Sequence, residues 1–230
     1  VSTWADEVTE RSDAALRRVA DPSRAPQMKA YMKDVAPFLG VAAGPRRIAL
    51  RQAWEGLADP TSDELGAAAL GLVALPEREL HYAAYDLIEH YRRHADEAFC
   101  GRYVEELLIT KPWWDTVDGL VNAAVSPLCR RYPLDPLVDR WSASGDRWLI
   151  RAAVGHQRGW KQDTDVPRVL DLCGQHWDDP EFFVAKAIGW ALRDLCRTDP
   201  EAVRSFLADH PTRNAVAERE AWRGLQRAGG

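Results

Sequence analysis

The sequence predicts an all-α protein, a curved solenoid of about six stacked helical hairpins. Three observations point there. Strand signals are almost absent: Val and Ile are scattered, and no Asn-Gly or Asp-Gly hairpin turn lies between alternating apolar runs. Apolar residues recur instead at three- and four-residue steps, as in Leu80, Ala83, Ala84, Leu87 and Ile88, or in Phe183, Ala187, Trp190 and Ala191. Finally, Leu80, Trp114, Trp148 and Phe182 are each 34 residues apart, and each follows a helix-start signal: Pro76, Pro112, Asp146 and Pro180. A fixed period in the mid-thirties marks stacked helical pairs.

The elements follow in order. Residues 1–40 are less regular and are expected to cap the stack. Leu39-Gly40 and Ala43-Gly44-Pro45 punctuate the entry to the first regular pair, and Asp59-Pro60 interrupts it. The equivalent helix of each pair is predicted to begin near 45, 77, 113, 147 and 181. Asp59-Pro60, Asp179-Pro180 and Asp199-Pro200 each fit an N-cap followed by Pro at the first helical position, and Pro112 is acceptable at such a position too. A last helix near 214–227 closes the other end. About a dozen helices are expected, in a single domain spanning 1–230.

Composition excludes several classes. The chain is 46% hydrophobic and 28% charged, which fits a globular protein and not a disordered one. No apolar run approaches the roughly 18–20 residues of a membrane span. The opening Val1–Glu7 is polar and acidic, unlike a signal peptide, so cytoplasmic placement is expected. Cys100, Cys129, Cys173 and Cys196 are widely spaced with no C-x-x-C pair, and read as free thiols packed in helices. His90 and His94 are four apart, but Tyr91 stands where H-E-x-x-H has its glutamate and no third ligand is evident. No metal site and no cofactor are expected.

Net charge is −5, which by itself argues against a nucleic-acid partner. Local distribution matters more. Arg46, Arg47, Arg78, Lys111, Arg147 and Arg151 cluster near the predicted helix starts, with Lys186 one turn into a helix. Helix N-termini edged by such residues could form a positive track for a phosphate backbone. The competing reading is solvated helix-end charges paired with Glu77, Glu79, Asp115 and Asp146. The second repeat also breaks the pattern. Asp118 occupies the position held elsewhere by Ala84, Ala152 and Lys186, one turn after Trp114. A charge at a small-residue position is costly without a purpose or a partner. Trp113 and Trp148 read as packing residues, and Asp115 as a cap or a solvent-facing charge.

The chain from about Gln27 to Arg223 resembles the AlkD-type alkylpurine DNA glycosylases, bacterial proteins of HEAT-like repeats. The matching segments are Met28-Lys29-Ala30-Tyr31-Met32-Lys33, Phe38-Leu39-Gly40, Leu75-Pro76-Glu77-Arg78-Glu79, residues 110–118 around Trp113-Trp114, Trp148-Leu149-Ile150-Arg151-Ala152-Ala153, and residues 182–193 from Phe182 to Arg193. The segment from Gly155 to Asp179, with Arg158, Trp160 and Lys161, is less similar. The resemblance implies catalytic residues Asp118, Trp114 and Trp190 in a concave cleft, with Arg151 contacting DNA and Tyr31 near the lesion. Lys186, Arg193, Lys111, Arg147, Arg46 and Arg47 are expected to contribute to DNA binding.

It further implies hydrolysis of the N-glycosidic bond of cationic N3- or N7-alkylated purines in duplex DNA, without base flipping, by a monomeric, nucleoid-associated enzyme. The residues suit that chemistry. An alkylated purine is a cationic leaving group and needs no general acid. The sugar left behind has oxocarbenium character and needs negative charge and a positioned water, which Asp118 can supply. Trp114 and Trp190 offer electron-rich faces to the sugar and the developing cation, and Arg151 would hold the adjacent phosphate. No amine nucleophile is aligned, so no lyase activity is expected. Three alternatives stay open: a self-resistance glycosylase for bulky natural-product adducts, a non-catalytic repeat protein that binds DNA structure, and a protein-binding helical scaffold, for which net acidity is the only support.

Overall fold

A computed structural model describes residues 3–211 and 215–228. Among these residues every regular element is helical. The chain divides into two compact units, 1–124 and 125–230. No linker composition marks the division, which falls within Asn122-Ala123-Ala124-Val125-Ser126-Pro127.

The first unit contains α1 (Trp4–Arg18), α2 (Ala25–Tyr31), α3 (Ala43–Trp54), α4 (Ser62–Ala74), α5 (Arg78–Tyr91), α6 (Glu105–Ile109) and α7 (Trp114–Leu120). Their starts are chemically specified. Thr3 caps α1 in a reciprocal box with Asp6, and Thr61 caps α4 with Glu64 in the same way. Thr61, not Asp59, is therefore the cap ahead of α4; Asp59 pairs with Arg93 instead. Leu16, Leu50, Leu65, Leu72, Leu80, Leu87 and Ile88 build the core between these helices.

The second unit contains α8 (Ser126–Arg131), α9 (Asp135–Ser142), α10 (Arg147–Val154), α11 (Val166–Gln175), α12 (Phe182–Leu195), α13 (Pro200–Asp209) and α14 (Ala215–Ala228). Asp146 accepts the N–H groups of Trp148 and Leu149, at 2.8 and 3.0 Å. Asp199 caps α13 ahead of Pro200, as its Asp-Pro step predicts. Asp179-Pro180 behaves differently. Asp179 accepts from the N–H of Glu181 in a turn, and α12 starts two residues after the proline. Pro112 likewise stands two residues before α7. The five equivalent helices begin at 43, 78, 114, 147 and 182, within two residues of the positions the sequence predicts.

The 34-residue period is a bonding register as well as a packing one. Asp59 and Arg93, Ser126 and Trp160, Ser142 and His176, Arg147 and Glu181, and Lys186 and Glu220 are all 34 apart and hydrogen-bonded. Stacking each hairpin on the next therefore brings the same register positions together.

The irregular N-terminal stretch is fixed by one buried carboxylate. Glu79, in the first turn of α5, accepts the N–H groups of Leu39, Gly40 and Val41 at 3.0, 2.8 and 2.9 Å. Gly40 has φ +86°, and a Cβ there would lie 1.9 Å from the Asp21 carbonyl oxygen, so only glycine fits. Lys111 has a comparable structural duty. Its ammonium donates to the carbonyls of Val73, Ala74 and Leu75, at 2.9, 2.8 and 2.8 Å, closing the C-terminus of α4. All three donors of that ammonium are used.

Glu79→Gln would turn an amide N–H toward the Leu39 N–H and leave a buried donor unpaired. A loss of about 1–3 kcal/mol is expected in urea unfolding. Acid sensitivity is expected as well. Burial pushes the imidazoles of His81 and His156 down to about 4. The unfolded chain then binds more protons between about 6.5 and 4, so stability present above pH 6.5 is lost as pH falls through that window, by about 3 kcal/mol per ring. Urea midpoints should drop between pH 7 and 5, and the drop should shrink in His156→Gln.

Candidate active site

Helix α7 is seated from behind by α5. Arg78 is fully buried and donates to Asp115 through two nitrogens, at 2.5 and 3.2 Å, and to the Lys111 carbonyl and the Thr116 hydroxyl, at 2.9 and 3.2 Å. The Tyr82 hydroxyl donates to the same carboxylate at 2.5 Å. Burial and the neighbouring Asp115 push the Tyr82 phenol far above its ordinary range, so it stays a donor. Asp115, expected as a cap or a solvent-facing charge, is thus the buried centre of a network. Arg78 is withdrawn from any positive track.

One turn later the Tyr85 ring lies against Gly119, where a Cβ would come within 2.4 Å of the ring. Positions 115 and 119 are four apart and share one face. Trp114 and Asp118 are also four apart, on the adjacent face. Both are half-buried, whereas Ala84 and Ala152 at the register of Asp118 are 1% and 0% exposed. Tyr31 reaches the same place from the end of α2. It is 70% exposed, and its ring meets Trp114 edge-on at 6.4 Å and 79°. The chain turns sharply behind it, with Lys33 and Asp34 both left-handed at φ +61° and +60°. The first unit thus brings Trp114, Asp118 and Tyr31 together.

Arg46 is not available beside them. It is buried, donates to Asp86 at 2.8 Å, and lies 4.8 Å from the Tyr82 ring. A buried guanidinium paired with a buried carboxylate serves the core. Arg47 remains outward, with Asp86 at 3.8 Å.

The second unit assembles a basic cluster on one indole. Arg151 is 3% exposed, donates to the Phe183 carbonyl at 2.6 Å, and places its guanidinium carbon 4.9 Å from the Trp190 ring centre. The Arg158 guanidinium and the Lys186 ammonium each lie 5.3 Å from the same ring. Trp190 therefore offers its π density to three cations of the protein itself. Lys186, Arg193 and Arg223 converge on the buried Glu220, at 2.9, 2.8 and 3.0 Å. The hydrogen bond from Lys186 is the main influence holding that carboxyl below its ordinary range. Three cations on one carboxylate leave a net positive centre, although the donors of Lys186 and Arg193 are partly engaged. Arg147 pairs with Glu181 at 3.0 Å in the open, and Trp148 packs on Phe183 at 4.9 Å.

Sequence reasoning missed Glu220 and the Arg78–Asp115–Tyr82 network. The repeat register would have found the first, since Glu220 lies 34 residues after Lys186; Asp115 lies 37 after Arg78 and 33 after Tyr82, off that register. Among the described residues no group of three His, Cys, Asp or Glu side chains could hold a metal ion, and no helix is long and apolar enough to cross a membrane. His90 packs its ring against Trp54 and Tyr91. The four cysteines are free thiols, three of them buried.

Comparison with known proteins gives two findings. The structure is similar to a solved one described as a predicted DNA alkylation repair enzyme from Enterococcus faecalis, with a TM-score of 0.75 and 25% sequence identity, covering 88% of this chain and 94% of that one. No curated protein matches. Residues 12–225 match the family described as DNA alkylation repair enzyme. With nearly the whole chain matched in sequence, and an all-helical repeat structure like that of a relative, the protein belongs to the DNA alkylation repair enzyme family.

Proposed function

We propose that the protein is a monofunctional DNA glycosylase acting on cationic N3- or N7-alkylated purines in duplex DNA. The observation that carries this reading is a half-buried carboxylate, Asp118, sharing one face of α7 with Trp114 while the neighbouring face is bolted to α5. The backbone that carries this carboxylate is fixed against α5, and a fixed backbone favours the preorganisation that stabilising a cationic transition state requires.

The reaction balances without an added acid. The C1′–N bond breaks and its electron pair goes to the purine, cancelling the positive charge that alkylation put there. The Asp118 carboxylate faces the oxocarbenium-like sugar and orients a water, whose oxygen bonds to C1′ and whose proton leaves to solvent through the carboxylate. Trp114, with Tyr31 edge-on to it, offers its face to the sugar C–H groups. Arg151 holds a backbone phosphate, its guanidinium positioned by Trp190 and the Phe183 carbonyl. Arg47, Lys186, Arg193 and Arg147 add positive charge around the duplex. As the family resemblance implies, the base is expected to stay in the duplex and not to flip into a pocket.

Base release is the direct test. Duplexes carrying 7-methylguanine or a bulky N3-adenine adduct would be incubated with wild type and Asp118→Asn, and free base quantified. Asp118→Asn should bind alkylated duplex normally and lose about 10²–10³ in single-turnover rate. Full activity in that variant would remove Asp118 from the mechanism. Release of the bulky adduct alone would indicate a specialised resistance enzyme. Arg151→Ala should weaken duplex binding and flatten its salt dependence by about one phosphate contact. An unchanged slope would show that Arg151 meets no phosphate.

A further inference from the structure

Arg158 lies in the segment 155–179, which is less similar to the family pattern, and the structure gives it a distinctive setting. Its guanidinium carbon stands 5.3 Å from the centre of the Trp190 ring, the ring that also carries Arg151. The residue is exposed, and among the described residues no carboxylate pairs with it. Its neighbours on the indole are already engaged: Arg151 donates to the Phe183 carbonyl and Lys186 to Glu220. Arg158 is thus the cation of the three with its donor fork open.

The backbone beneath it is fixed. The Arg158 N–H donates to the Gly155 carbonyl at 3.0 Å, and its own carbonyl accepts from the Ser126 hydroxyl at 2.7 Å. Gly159 turns the chain at φ +81°, and the Trp160 indole N–H then donates to the Ser126 carbonyl at 3.1 Å. A guanidinium on an aromatic platform, rooted at both sides, has lost much of the freedom that usually weakens a surface arginine as an anion ligand. Three cations around one ring also repel one another, and an arriving anion relieves that repulsion.

We propose that Arg158 binds a backbone phosphate of the DNA beside the one held by Arg151, with Trp190 as their shared platform. The inference rests on the reading of Arg151 as a phosphate contact in a DNA-acting enzyme. It makes Trp190 a positioning residue for two guanidinium groups. The bound class is a phosphodiester of duplex DNA, and the contact carries no base information.

The full chain would be titrated by anisotropy against one labelled duplex without lesion and one with a single 7-methylguanine, from 50 to 300 mM salt. Wild type, Arg158→Gln and Arg158→Lys would be compared, with urea midpoints measured on each. The slope of log K against log salt should fall by about 0.9 in Arg158→Gln, equally on both duplexes. Arg158→Lys should keep the slope, because it keeps the charge. A wild-type slope in Arg158→Gln, in a protein that binds DNA and releases base, overturns the role of Arg158 alone. Wild-type binding without base release, with the slope lowered in Arg158→Gln, sustains the phosphate contact and overturns the glycosylase reading. No duplex binding by wild type overturns both.

Discussion

Arg78 and Asp115 form a buried ion pair on which the geometry of the candidate site depends. Such a pair adds little net stability, because desolvating both charges offsets most of their attraction. Its value lies in what it excludes. With Tyr82 and Thr116 also bonded, α7 can neither rotate nor slide against α5 without leaving a charge buried and alone, which costs about 3–5 kcal/mol. The direction of Trp114 and Asp118 is therefore set by the residues on the opposite face of α7. Tyr85 against Gly119 fixes the second point of contact, and two points define how a helix is rolled.

The second unit solves a different problem. Here the task is to hold several like charges close together without dispersing them. An indole and a buried carboxylate do this jointly: Trp190 carries Arg151, Arg158 and Lys186, while Glu220 gathers Lys186, Arg193 and Arg223. Glu220 sits on α14, which crosses α12 closely enough that a Cβ at Gly189 would fall 2.8 Å from Glu220 Cβ. The terminal helix therefore contributes to the electrostatics of the unit as well as covering its core. Overall acidity, a net charge of −5, coexists with this cluster because charge balance over the whole chain says little about one face.

Helix starts were legible in the sequence because capping is local: Asp146 and Asp199 act on backbone groups two or three residues away. Two Asp-Pro steps are exceptions. Asp179 makes a turn in place of a cap, and Asp59 leaves the cap of α4 to Thr61 and pairs with Arg93 from the next repeat. The singularity of Asp118 was legible from the repeat register, since its equivalents Ala84 and Ala152 are core. Burial of charged side chains was not. Arg46, Arg78 and Lys111 look alike in sequence, as basic residues near helix starts. Only the folded chain shows that the first two face carboxylates in the interior and the third faces three carbonyls.

The fit of Tyr85 to Gly119 bears on how such a site can diversify. Any larger residue at 119 drives the helix off its seat, and a smaller ring at 85 leaves the seat empty. The rear of α7 is thus closed to gradual change. The open side at Tyr31 has no such restriction, because that side chain is 70% exposed at the end of α2. Substitutions around Tyr31 can therefore reshape the open surface while the helix that carries Asp118 stays on its seat. Rigid seating and tolerance of change are separated onto opposite sides of a two-turn helix.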